Sequence, residues 1–292
     1  MHPMPQANTM NLKHLKSVLL GTSALVCLAL AAPVMADDFV ITGSDNSNDG
    51  NTINNGDTVT VTGALTITGA NDGIKTTNND TEAKSNTVTV TGTGSITTAG
   101  TGNNAYGIYN DGAYNTTTVA GSIKTEGTSA HGIYNLGSNN TTTVSEAGSI
   151  TTTGSISSGI FSRGSTNTTT VSGSITTKGS TARGIYIYGD DNVTTVSGSI
   201  KTEGNNSHGI RNRGDDNVTT ISGTVKATGA SSAALYSEVG DGNSFTLNEG
   251  ATIIGDILAR DSTNNASDAT NSKLIFNLGA STSYAYSVSG KG

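Results

Sequence analysis

Two acidic dipeptides, Asp190-Asp191 and Asp215-Asp216, stand 25 residues apart. If they occupy one corner of successive turns in a repeated fold, their carboxylates lie close enough for the paired acid and base or nucleophile of glycosidic chemistry. The equivalent corner of the preceding repeats holds Tyr114, Asn139 and Thr166, where a working site would want basic or aromatic support. With no convergent set around them, the pairs read as an acidic, solvated corner, and no catalytic residue is assigned. A carbohydrate-active enzyme stays as an alternative, to be favoured by polysaccharide turnover that is lost on Asp191→Asn and Asp216→Asn.

Metal chemistry has two candidates. Asp45-Asn46-Ser47-Asn48-Asp49-Gly50 alternates oxygen side chains ahead of a glycine, as a calcium loop does, but its twelfth position is Gly56 instead of a bidentate acid. It reads as a polar turn. His131 and His208 fall at equivalent positions two or more repeats apart, too distant to share a metal, and no third ligand recurs with them. Neither a metal nor a cofactor is expected.

The elements that must position any site are set by a repeat. Gly107-Ile108, Gly132-Ile133, Gly159-Ile160, Gly184-Ile185, Gly209-Ile210 and the looser Ala234-Leu235 step by 25, 27, 25, 25 and 25 residues. Val119, Val144, Val171, Val196 and Ile221 keep the same beat, as do Ile123, Ile150, Ile175, Ile200 and Val225. The single longer step is the insertion Glu146-Ala147. A fixed period of this size is the mark of a solenoid, whose repeats bury apolar residues only by stacking on one another. A disordered chain of this Gly/Ser/Thr/Asn-rich composition would have no reason to hold Val and Ile at fixed offsets.

Each unit contains three extended runs separated by Gly, Asn and Ser, as at 133–135, 141–144 and 149–152. The fold class is therefore all-β, a β-solenoid of 25-residue coils with three short strands each. Alternation turns Val119 and Thr117 and their equivalents inward, with Thr116 and Thr118 outward; on the third strand Ile123 faces in and Lys124 out. Asn86, Asn115, Asn140, Asn167, Asn192, Asn217 and Asn243 share one corner, where asparagine tolerates a left-handed backbone and its amides can bond along the axis. That ladder explains all seven, whereas the glycosylation pattern that several match misses Asn86 and Asn243.

After each Gly-Ile comes Tyr109, Tyr134, Phe161, Tyr186, Arg211 or Tyr236. Because an arginine enters this column it should face outward, the glycine bending the strand so that Ile stays inside. An exposed aromatic column suits sugar stacking or side-by-side association, so Tyr109, Tyr134, Phe161, Tyr186 and Tyr236 are the candidate binding residues. Mutual stabilisation of the rings along the axis is the competing reading.

The ends and the charge bound the setting. Lys13 and Lys16 precede an apolar run over 18–32 that ends in Pro33-Val34-Met35-Ala36, the pattern of a secretory signal peptide, with Met10 a more typical start than Met1. The lone Cys27 lies inside that run behind the bulky Val26, so neither lipidation nor disulfides are expected. The formal charge of −7 falls to −9 once residues 1–36 are removed, and no basic run reverses it locally, which excludes nucleic acid as a partner. We expect a signal peptide over 1–36, a cap and irregular coils over 37–104, regular coils over 105–250, and C-terminal coils with a final segment over 251–292. Within the irregular part, Gly73-Ile74 precedes the next unit by 34 residues; the extra nine are loop insertions, and 37–71 should form the cap.

Units such as Ala130 to Ile150, of the form A-x-G-I-Y-N-x-G-x-x-N-T-T-T-V-S, resemble the passenger repeats of bacterial autotransporters. The stretches Ala251-Thr252-Ile253-Ile254-Gly255-Asp256-Ile257, Leu274-Ile275-Phe276-Asn277-Leu278-Gly279 and Ser283-Tyr284-Ala285-Tyr286-Ser287-Val288-Ser289-Gly290 are similar to the segment that precedes the outer-membrane barrel in that family. The resemblance implies a right-handed parallel β-helix. It also implies a non-catalytic passenger exported from a Gram-negative cell to the surface, the outer membrane or the medium, where it adheres or self-associates. Its partners would be host or matrix glycans or other copies of itself, with an outer-membrane translocator in cis or in trans. Gly292 comes before any barrel strands, so a truncated passenger, a separate translocator and a periplasmic protein are all open. Ice binding by the outward Thr-x-Thr rows is a further alternative, interrupted at Val193 and Val218.

Overall fold

A computed structural model describes residues 38–42, 51–54, 56–77, 82, 85–100, 104–260, 272–277 and 288–289. The expected signal peptide over 1–36 and the oxygen-rich run 45–50 lie outside them. Among the described residues there are 28 short strands and no α-helix, and they stack as parallel sheets of 10, 8 and 10 strands. The chain is a parallel β-solenoid. A regular coil runs through Ile108–Asp111, Thr116–Val119 and Ser122–Thr125, and each strand pairs with its counterpart one coil on. The three sheets are named here for these strands: the Gly-Ile sheet, the threonine sheet and the Ser-Ile sheet.

The core is one column of branched side chains. Ile133, Val144 and Ile150 of one coil are each at most 1% exposed, and so are Ile160, Val171 and Ile175 of the next. No coil encloses enough apolar surface alone, and each is completed by its neighbours. The inward threonines are equally buried, and those of the Ser-Ile sheet brace the following corner. Thr125, Thr152, Thr177 and Thr202 donate to the carbonyls of Ala130, Ser157, Ala182 and Ser207 at 2.5–3.1 Å. A buried hydroxyl is thereby satisfied within its own coil.

The asparagine corner forms a continuous ladder. The backbone N–H of each donates to the side-chain Oδ1 of the next, from Asn86 to Asn115 through to Asn217 and Asn243, at 2.7–3.2 Å. All seven side chains are buried, which removes them from any glycosylation reading. The left-handed residue of this corner, however, is not the asparagine. It is the one before: Tyr114, Asn139, Thr166, Asp191 and Asp216 have φ of 53–63°. The asparagine is selected for its amide, which replaces a missing strand bond.

The Gly-Ile glycine also has a reason other than bending. A Cβ on Gly132 would lie 2.3 Å from Ile150 Cγ2 and 2.6 Å from the Gly159 carbonyl oxygen, and Gly159 and Gly184 are as tight. Where alanine enters, at Ala234, the next strand slips register between Ala233 and Leu235.

The irregular ends belong to the same solenoid. Asp38–Ile41, Asn51–Asn54, Thr58–Val61 and Ala64–Ile67 extend the three sheets, so the described part of the expected cap is itself coiled. Glu146 and Ala147 sit exposed in a turn closed by Gly148 N donating to Ser145 O. Thr252–Ile254, Asp256–Arg260, Lys273–Asn277 and Val288–Ser289 continue the sheets at the other end.

Candidate functional site

The Gly-Ile sheet presents two outward columns, because strand alternation puts Ile108 and Asn110 inside and Tyr109 and Asp111 outside. The first column runs Lys75, Tyr109, Tyr134, Phe161, Tyr186, Arg211, Tyr236 in unbroken register. Its aromatic rings lie nearly parallel, Tyr109 to Tyr134 at 5.2 Å, Tyr134 to Phe161 at 5.0 Å and Phe161 to Tyr186 at 4.7 Å. Cations close the stack at both ends: Lys75 Nζ is 5.0 Å from the Tyr109 ring, and the Arg211 guanidinium is 5.0 Å from Tyr186 and 5.6 Å from Tyr236. Arg211 pairs with Glu238, both side chains being largely covered.

These rings face outward but are only partly accessible. Tyr134 is 7% exposed, so it does not offer the open contact surface expected of it. The cause is a neighbouring column, Tyr106, His131, Ser158, Arg183 and His208, two places ahead of each Ile. Tyr106 and His131 stack at 5.3 Å and meet Tyr109, Tyr134 and Phe161 edge-on at 5.0–5.6 Å. The result is a two-row aromatic ridge. Tyr109, Phe161, Tyr186 and Tyr236 keep intermediate exposure.

Burial shapes the ionisation of the second row. His131 Nδ1 accepts from Ser158 N at 2.9 Å and His208 Nδ1 from Ala233 N at 3.0 Å, so each ring serves as a coil-to-coil acceptor. Burial, helped by nearby arginines, pushes both down to about 3. Asp72 accepts from Tyr106 N at 2.8 Å, and burial raises its carboxyl to about 6. Burial also pushes the Tyr106 phenol up to about 12 and, with Arg211 close by, Arg183 down to about 10.

The second outward column holds Asp111, Leu136, Arg163, Tyr188, Arg213 and Glu238. Arg163 and Arg213 flank Tyr188 in register, with guanidiniums 5.9 and 5.0 Å from its ring. The side chain of Tyr134 holds the Arg163 guanidinium above its ordinary value, and that of Tyr186 does the same for Arg213. This cationic column escaped the sequence reading because its residue type changes from coil to coil.

In the acid corner the first aspartate of each pair bonds to the backbone of the next coil. Asp190 Oδ1 accepts from Asp215 N at 2.8 Å, and Asp215 Oδ1 from Asp241 N at 2.9 Å. One oxygen of each is thus committed to tying coils together. His131 and His208 lie three coils apart, and among the described residues no His, Cys, Asp or Glu cluster could hold a metal ion.

Comparison of the chain with protein-family models, with curated proteins and with solved structures finds no match. The fold defines a parallel β-solenoid.

Proposed function

We propose that the chain is a non-catalytic, autotransporter-type passenger, carried to the cell surface or released, whose outward aromatic ridge makes adhesive or self-associating contacts. The observation that carries this is the stack from Tyr109 to Tyr186. Four rings at about one strand spacing form a rigid, linear, partly apolar strip on an otherwise polar surface, and such a strip suits the faces of sugar rings or the same strip of a second copy. The anchoring of Asp190 and Asp215 in coil-to-coil bonds argues against their use as an acid and base pair.

The test replaces Phe161 and Tyr186 with leucine, which retains apolar cover while removing the ring faces. Retention on immobilised neutral polysaccharide, or self-association measured by sedimentation, should fall several-fold with a melting temperature close to the parent's. Unchanged retention and unchanged self-association would sink the reading.

A second reading is favoured by one observation on the threonine sheet. Thr60, Thr89, Thr118, Thr143, Thr170, Thr195, Thr220 and Thr246 occupy one outward column in continuous register, and Val193 and Val218 interrupt only the row beside it. A flat array of methyls and hydroxyls repeating at the strand spacing can template ordered water, as an ice-binding surface must. Thermal hysteresis in the freezing of a solution of the chain, abolished by Thr143→Tyr, is the expected sign; freezing indistinguishable from that of an inert protein removes this reading.

A further inference from the structure

The chain has five arginines, Arg163, Arg183, Arg211, Arg213 and Arg260, and every one lies on or two residues ahead of a strand of the Gly-Ile sheet. In a protein of net charge −7 this is a strong segregation. Arg211 is matched by Glu238, but Arg163, Arg183 and Arg213 have no carboxylate within 4.0 Å among the described residues. On the neighbouring Ser-Ile sheet Lys124 pairs with Glu126 and Lys201 with Glu203, and at the N-terminal end of the Gly-Ile sheet Lys75 pairs with Asp111.

We infer that this arginine column binds an acidic polysaccharide, one bearing carboxylate or sulfate groups along a linear chain. The inference rests on the contact reading above and specifies its ligand. Four features support it. Guanidinium forks match carboxylate and sulfate oxygens in bidentate geometry, which ammonium groups do not. Arg163 and Arg213 are spaced by two strands, about 10 Å along the axis, and are held at that spacing by Tyr188 between them. Tyr188 is 39% exposed, so the cations sit at the surface beside the aromatic ridge that would stack the sugar rings. The corner that follows Tyr188 carries the exposed Asp190, Asp191, Asp215 and Asp216, whose charge repels a polyanion and keeps it aligned along the ridge.

The test measures equilibrium binding of the purified chain to dextran sulfate and to polygalacturonate, beside uncharged dextran and polyglutamate. Both acidic polysaccharides should bind, with affinity falling as salt rises. Arg163→Gln with Arg213→Gln should weaken that binding at least 10-fold and flatten its salt dependence, leaving dextran binding as in the parent; Lys124→Gln with Lys201→Gln on the Ser-Ile sheet should change neither. Parent-like binding of the acidic polymers by the double arginine variant overturns the inference. So does polyglutamate binding as tightly as polygalacturonate, since it would mark a patch selective for charge alone. Dextran bound without dextran sulfate defeats the arginine proposal while sparing the contact reading, and no binding of any polysaccharide defeats its glycan form as well.

Discussion

The outer faces of the threonine sheet and the Gly-Ile sheet rest on the same core and differ in nearly everything else. On the threonine sheet the outward positions repeat, with Thr60 to Thr246 unbroken in one column, and no outward side chain from Thr116 to Thr246 carries a titratable group. On the Gly-Ile sheet the outward columns hold tyrosine, phenylalanine, arginine, lysine and acids, covered in part by a second row of Tyr106, His131, Arg183 and His208. Both faces meet the requirement of a parallel stack, since threonine and aromatic residues each fit a pleated surface. The parallel stack alone does not dictate this difference, and under the readings proposed above contact by varied chemistry would belong to one side and contact by pure periodicity to the other.

The largest expected effect breaks both faces together, because they share one core. Val171 of the threonine sheet is fully buried, next to Ile160 and Ile175 in the apolar column. Val171→Asp would place a carboxylate there without a partner, a cost of several kcal/mol that a marginally stable domain cannot absorb. Loss of the β-rich circular dichroism spectrum and of the cooperative melt is expected. A variant that melts like the parent would show that adjacent coils do not share a core.

Much of this was legible in the residues. The inward Val and Ile columns, the inward threonines and the seven-asparagine ladder recur with one residue type at one offset, so their physics shows as periodicity. The aromatic column was legible too, but its exposure was not, because the cover of Tyr134 comes from Tyr106 and His131, whose column reads Tyr, His, Ser, Arg, His. A column that changes type leaves no periodic signal. For the same reason Arg163, Tyr188 and Arg213 went unnoticed, although all five arginines falling on one strand family could have revealed them. The length of the threonine column was hidden by the insertions between Gly73 and Gly107, which shift the register of Thr60 and Thr89.

A smaller effect sharpens the contrast, because acid sensitivity should belong to the Gly-Ile face. His131 and His208 are held near 3 in the folded chain against 6.5 in the unfolded one. As pH falls below 6.5 the unfolded chain takes up these protons and the folded chain does not. The stability they contribute is present above 6.5 and lost progressively down to about 3, at up to ~1.4 kcal/mol per pH unit for each ring. Asp72, at about 6 against 3.8, acts in the opposite sense between those values, since the folded chain binds its proton first. Two histidines outweigh one carboxyl. Urea melts between pH 7 and 4 should therefore show falling stability, and His131→Asn with His208→Asn, which keeps an acceptor near Nδ1, should flatten that fall. An unaltered acid profile in the double variant would remove the histidines as its cause.

The smallest effect is expected on the threonine face, and it measures how independent the two faces are. Thr143 and Thr170 are outward neighbours on adjacent strands, each of intermediate exposure. Thr143→Val with Thr170→Val keeps β-branching and shape and removes only solvated hydroxyls, so the change in stability should stay within about 0.5 kcal/mol. The matching pair on the other face, Phe161→Ala with Tyr186→Ala, removes two half-covered rings and their stacking and should cost roughly 2–4 kcal/mol. The ratio of the two losses, read from denaturant midpoints at constant m-value, is the quantity of interest. A threonine pair that cost as much as the aromatic pair would mean that the hydroxyl column is coupled along the axis and contributes to the stack. The division between a structural ridge and a solvated array would then fail, and the threonine face would have to be treated as a cooperative element of the solenoid in its own right.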